Sequence, residues 1–160
     1  MDLQAATRSD IPAIMLVERT EGYAGLVGRW DAERHACEME KPSSRYLLAR
    51  QGPELAGFAI LEGVGSANQC IRLRRIAVQD AGRGVGSRLL RSVLNVCFDD
   101  LAAHRVELLV FPENDRAHRV YLKTGFVEEG VVRDLHRSDD GSFRSMRLMS
   151  LLRPEWAASR

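Results

Sequence analysis

Ile76-Ala77-Val78-Gln79-Asp80-Ala81-Gly82-Arg83-Gly84-Val85-Gly86-Ser87-Arg88-Leu89-Leu90 runs from a β-branched stretch through alternating glycines into a helical apolar repeat. It reads as a strand delivered into a helix N-terminus, which is an anion cradle. Glycines at 82, 84 and 86 let the backbone approach a ligand without Cβ obstruction. The unpaired N–H groups of the first helical turn and the positive end of the helix dipole favour phosphate, and Arg83 and Arg88 add charge. A P-loop needs Gly-x-x-x-x-Gly-Lys-[Ser/Thr], but no Lys precedes Ser87. A dinucleotide fingerprint needs a third glycine where Ser87 stands. Both fit poorly. A turn that merely joins strand to helix would carry three costly glycines beside arginines without a packing return.

Downstream, apolar residues at 89, 90, 93, 94, 97, 98 and 101 keep the i, i+3, i+4 rhythm of a helix lying on a sheet. Val106 to Phe111 is the next strand. Asn114-Asp115-Arg116-Ala117 opens a short helix that ends at Lys123-Thr124-Gly125, and Phe126 to Arg133 and Phe143 to Leu152 are two closing strands around the turn Ser138-Asp139-Asp140-Gly141. Upstream, Cys70 to Val78 places Ile71 and Leu73, then Ile76 and Val78, among arginines at 72, 74 and 75. Arg45 to Arg50 and Glu54 to Gly63 form a hairpin about Gly52-Pro53. Residues 2 to 7 suggest a short strand, Ser9-Asp10-Ile11-Pro12 a helix start with Ile14, Met15 and Leu16 facing the core, and Asp31 to Met39 a second helix. With no repeat or linker, residues 1–160 read as a single domain. Its expected fold is α/β (α+β), a single mixed, mostly antiparallel twisted sheet with helices on both faces.

At the glycine segment the sequence resembles the GNAT superfamily of N-acetyltransferases, whose pyrophosphate motif runs Gln/Arg-x-x-Gly-x-Gly/Ala. Here it reads Ala81-Gly82-Arg83-Gly84-Val85-Gly86, departing at Ala81. Asn114, Ala117 and Tyr121-Leu122-Lys123-Thr124-Gly125-Phe126 are similar to the family's Asn-x-x-Ala-x-x-x-Tyr-x-x-x-Gly-Phe signature, and Arg8-Ser9-Asp10-Ile11 to its usual opening. The resemblance implies transfer of an acetyl group from acetyl-CoA, as co-substrate and without a metal, to a primary amine. The acceptor would be a small molecule or a peptide N-terminus. It implies cofactor contacts at Ile76, Ala77, Val78, Arg83, Gly84, Val85, Gly86, Ser87, Arg88, Asn114, Ala117 and Tyr121. Main-chain N–H groups at the splayed end of Ile76-Ala77-Val78 would meet the oxyanion, and Tyr121 would protonate the departing thiolate. Asn114 also suits a helix cap.

An amine with a pKa of about 10.4 must lose a proton before it attacks. The family's strand carboxylate is missing from Ile71-Arg72-Leu73-Arg74-Arg75-Ile76, so Glu62, Glu107, Glu18 and Glu21 remain as candidate bases beside bound water. His35, His104, His118 and His136 sit in polar settings that suggest the surface. A second reading is a non-catalytic acyl-CoA-binding sensor or regulatory module; a third is a nucleotide-phosphate enzyme.

The wider composition narrows the classes. The chain has 160 residues, 45% of them hydrophobic, and a formal net charge of +1, which disfavours a general binder of nucleic acid or membrane. Only Lys41 and Lys123 are lysines among 23 basic residues. Cys37, Cys70 and Cys97, odd in number and without zinc spacing, read as small apolar packers in a reducing, cytoplasmic setting. A homodimer is compatible with all of this. Residues 1–41 carry eight acids and five bases, either as a solvated face or as the lining of a site for a cationic amine, whereas Arg72, Arg74 and Arg75 facing a cleft would suit an acceptor bearing a carboxylate.

Overall fold

A computed structural model describes residues 1–159. Its framework is one seven-stranded sheet in the order β1-β2-β3-β4-β5-β7-β6. The chain lays down β1 (Leu3–Ala5), α1 (Ile11–Glu18), α2 (Ala32–Met39), β2 (Arg45–Gln51), β3 (Glu54–Glu62) and β4 (Cys70–Val78). It continues through α3 (Val85–Asn95), β5 (Arg105–Val110), α4 (Asp115–Thr124), β6 (Val127–Arg137), β7 (Phe143–Leu152) and α5 (Arg153–Ala158). Neighbouring strands are antiparallel except β4 and β5, which run parallel because α3 carries the chain back across the sheet.

The middle strands are apolar on both faces because both are covered. Leu47, Ala49, Ala59, Leu61, Ile71 and Leu73 pack under α3. Their neighbours Tyr46, Leu48, Phe58 and Ile60 pack with Ile14 and Val17 of α1 and with Trp30 on the opposite face. α3 buries Leu89, Leu90, Val93 and Leu94 completely, each worth about 1.5–3 kcal/mol of transfer free energy. It then widens into a π-turn over Val96–Asp100 that keeps Cys97 and Phe98 inward. α5, which sequence reasoning did not anticipate, lays Trp156 against Phe98 with ring centroids 6.0 Å apart.

Four side chains depart from expectation. Leu16 is 74% exposed, because the eight residues of α1 turn Ile11, Ile14 and Val17 inward and leave position 16 on the far side. Cys37 is exposed and Cys70 half-buried, so only Cys97 is a core packer. His35 is fully buried, since α2 turns it beneath Trp30 toward the sheet. Among the described residues, no helix is long and apolar enough to cross a membrane.

β4 is interrupted at Arg74. Leu73 pairs with Leu61 and Arg75 with Ile60, which leaves Arg74 as the extra residue of a β-bulge. The bulge explains the phase change along the strand. Ile71 and Leu73 share a face with Ile76 and Val78, and the even-odd alternation slips by one in between.

Candidate active site

β4 and β5 pair from Cys70↔Arg105 to Leu73↔Leu108 and then part, although β4 runs on to Val78 and β5 to Val110. The gap is the floor of a cleft of about 910 Å³, at the upper end of the ligand-site range of roughly 300–1,000 Å³. Its walls come from residues 22–34 on one side and from α4 with the β6–β7 turn on the other.

What the gap offers is main chain. Gln79 donates to the Ala56 carbonyl, and Ala77 pairs with Phe58, so these residues point toward β3. Alternation therefore turns the N–H and C=O of Ile76 and Val78 toward the gap. The Tyr23 hydroxyl meets both Val78 groups, donating to the carbonyl at 2.8 Å and accepting from the N–H at 3.2 Å. Tyr23 was missed by sequence reasoning. It lies in a glycine-rich segment without periodicity, and the only signal was an aromatic residue set among three glycines.

At the start of α3, Gly84 is the N-cap in the left-handed region (φ 73°) and brings no capping side chain. The N–H groups of Val85, Gly86 and Ser87 therefore open the helix without intrahelical partners. Gly86 lines the cleft, and a Cβ there would meet open space. Arg83, Val85 and Arg88 instead border a smaller depression of about 210 Å³ with Gln51 and Glu54. The two arginines are exposed, and Arg88 donates to the Arg83 carbonyl at 3.4 Å.

Across the gap, Asn114 caps α4, its Oδ1 accepting from the Ala117 N–H at 3.2 Å, and both residues line the cleft. Tyr121 lies one helical turn further on. Its ring packs on Phe126 at 5.7 Å, and its hydroxyl makes no hydrogen bond to another described residue. Burial, reinforced by the neighbouring Tyr23, pushes the Tyr121 phenol well above its ordinary value, so it keeps its proton at any working pH. The structure thus gathers Ile76, Ala77, Val78, Gly86, Asn114, Ala117 and Tyr121 at one cleft.

The expected carboxylate bases are elsewhere. Glu107 sits where β4 and β5 are still paired and is held by Arg72 at 2.6 Å and Arg105 at 3.1 Å. Burial raises its carboxyl, but the two arginines outweigh burial and hold it below the usual range. Glu62 lies beside Arg74 at 3.5 Å, off the cleft wall. Glu18 is fully buried and bonded to Arg75, to His35 at 3.2 Å and to the Trp30 N–H at 3.3 Å. Desolvation pushes its carboxyl up, and these partners pull it below the ordinary value. His35 in turn meets the Tyr46 hydroxyl at 3.0 Å. This network is the back wall of the cleft rather than its mouth. Glu21 and His104 do not line the cleft, and His118 is tied to Glu128 at 3.0 Å; of the four histidines, only His136 reaches the lining, edge-on to Phe111 at 5.2 Å.

A profile of the "Acetyltransferase (GNAT) family" matches residues 13–126. The N-alpha-acetyltransferase RimI of Mycobacterium tuberculosis is 31% identical over 121 residues, 74% of each chain. The L-amino acid N-acetyltransferase AaaT of Escherichia coli is 41% identical over 69 residues, 38% of this chain and 43% of that protein. Among solved structures, a mutant of the spermidine N-acetyltransferase SpeG from Vibrio cholerae superposes with a TM-score of 0.83 over 100% of both chains at 20% identity, a likeness of fold.

Proposed function

Since the chain belongs to the acetyltransferase (GNAT) family, we propose that residues 1–160 work as one domain that binds acetyl-CoA across the β4–β5 gap and presents its thioester to an amine entering between residues 22–34 and the β6–β7 turn. The activity is N-acetyl transfer; in the proposed mechanism acetyl-CoA supplies the thioester and the thiolate leaving group, and the amine attacks directly in a ternary complex. The observation that carries this reading is the parted β4, with the main-chain groups of Ile76 and Val78 turned into a gap that Tyr121 faces. A non-catalytic acyl-CoA sensor has no support, because the matched relatives are named as transferases.

The residues divide the work. The Val85, Gly86 and Ser87 amides, at the positive end of α3, hold the pyrophosphate. Arg83 and Arg88 contribute field from the rim rather than direct bonds. The amide-bearing arm of the cofactor takes the place of a strand beside Ile76 and Val78, so the Tyr23 hydroxyl gives up its Val78 bonds as the arm enters. A β4 N–H then points at the carbonyl oxygen where charge develops. Tyr121, protonated by virtue of its burial, donates to the departing sulfur. Solvent in the open cleft is the proposed acceptor of the amine proton, since Glu18, Glu62 and Glu107 lie off the cleft lining and are engaged by arginines.

The test is thiol release from acetyl-CoA over a panel of amines. Release that depends on the amine and is saturable supports the reading; tight acetyl-CoA binding with no release on any amine would leave the sensor as the only surviving account.

A further inference from the structure

Resting on that reading, the cleft also specifies what the amine must carry. Three guanidinium groups surround one indole ring on the acceptor side: Arg75 lies 4.3 Å, Arg34 4.6 Å and Arg74 5.7 Å from the Trp30 ring centroid. Arg75 is neutralised by the buried Glu18, and Arg74 stands near Glu62 at 3.5 Å. Arg34 has no carboxylate partner among the described residues; its contact is the Trp30 face. Arg29, on the same wall, has none either, and neither does Arg137 on the opposite wall. Arg144 pairs with Glu113. Asp115 and Asp139 are the remaining acids of the lining, both on the opposite wall.

The negative charge of the N-terminal third lies elsewhere. Asp10 is paired with Arg50, Glu40 with Arg8 and Glu38 with Lys41; Asp31 caps α2, and Glu18 is sealed behind Arg75. None of the eight acids in residues 1–41 lines the cleft, while Arg29 and Arg34 from the same stretch do. That segment is therefore not an acidic lining for a polycation. A spermidine-like acceptor would bring two or more positive charges to a wall of unpaired guanidinium groups, a like-charge juxtaposition that costs binding.

We infer that the acceptor is an amine whose molecule also bears a carboxylate, of the free amino-acid class, with the carboxylate held by the Arg34–Arg29 side of the Trp30 cluster while the amine faces β4. Guanidinium suits this task because its fork of N–H donors matches the two carboxylate oxygens. The buried Glu18–Arg75 pair fixes the position of Trp30, whose main-chain N–H donates to Glu18, and a Cβ on Gly28 would overlap the Arg75 guanidinium. The back wall is thus built closely enough to present the outer arginines at a defined place. A protein N-terminus, whose neighbouring carbonyl is a neutral amide, lacks the group these arginines would bind.

The experiment compares free L-amino acids, the matching amino-acid amides, short peptides and spermidine in the thiol-release assay, for the wild type, Arg34→Gln and Arg29→Gln. Both side chains are exposed, so the variants fold, which circular dichroism verifies. The inference predicts that free amino acids exceed their amides in kcat/KM by at least tenfold. It also predicts that one or both substitutions bring that ratio toward one by raising KM for the carboxylate form, with kcat held within about twofold. Amides, peptides or spermidine turned over as well as the free acids would overturn it, as would a carboxylate preference that neither substitution moves. Absence of turnover on every amine would overturn the acetyltransferase reading beneath it, a result distinct from turnover with the wrong preference.

Discussion

Tyr121 shows what a single residue can reveal. Its register relative to Asn114 and Gly125 is legible in the sequence, and its side chain lines the cleft. Because the hydroxyl makes no bond to another described residue and the ring packs on Phe126, Tyr121→Phe is expected to keep the melting temperature while lowering kcat about 100-fold or more, the usual yield of a positioned acid. Glu18 is the opposite case. Sequence reading held it as a possible base, but three elements converge on it to make a buried ion pair, and nothing in the spacing of Glu18, His35 and Arg75 announces their meeting. Glu18→Gln leaves Arg75 buried without its countercharge. The expected cost is about 3–5 kcal/mol, read as a lowered midpoint in urea unfolding.

At the scale of elements, β4 and α3 carry the account. The strand's change of phase between Leu73 and Ile76 is visible in the sequence as two adjacent arginines, yet reading it as a bulge required the pairing with β3. α3 was legible throughout, because its buried stripe follows the 3.6-residue period. The segment between α1 and α2 was opaque, since Tyr23 and Trp30 are placed by contacts with Val78, Glu18 and Arg75 far along the chain rather than by any local repeat. The glycines of the α3 entrance separate two roles. Gly84 needs its positive φ, so Gly84→Ala is expected to lower stability by about 1–2 kcal/mol. Gly86 has room for a Cβ and helical geometry, so Gly86→Ala should hold or slightly raise stability. It should nevertheless weaken acetyl-CoA binding, because the methyl points into space the pyrophosphate would use. Thermal melts paired with acetyl-CoA titrations separate the two effects.

For the whole molecule, charge is distributed with a purpose that net charge conceals. Within a balance of +1, no acid of residues 1–41 lines the cleft, whereas Arg29 and Arg34 of that stretch do; Glu113, Asp115 and Asp139 lie on the opposite wall. Arginine-held carboxylates and buried weak acids set the pH limits of stability. Glu18 and Glu107 are held below their ordinary values. Their contribution is therefore complete above the unfolded carboxylate value of about 4.3 and drains as pH falls through the folded values. Burial pushes Cys97 up to about 12 from an ordinary 9.0, so its contribution is complete below 9.0 and is lost as pH rises toward 12; the buried Tyr46 and Tyr121 act in the same direction. Melting temperature is expected to form a plateau from about pH 5 to 8.5 and fall on both sides, with Glu18→Gln flattening the acid limb. Circular-dichroism melts across that range measure it. The mixed sheet and its covered faces were readable from apolar runs and glycine turns, whereas α5 and the buried histidine network depend on packing between distant segments.

The central claim is that acetyl-CoA lies along the parted end of β4 with its phosphates on the first turn of α3. Titrating acetyl-CoA into ¹⁵N-labelled protein and following the backbone amides tests it most directly. The account predicts saturable shifts concentrated at Ile76, Val78, Val85, Gly86 and Ser87, with Tyr23 moving as its Val78 bonds are released. Saturable shifts confined to other surfaces, with those amides unmoved, would contradict it.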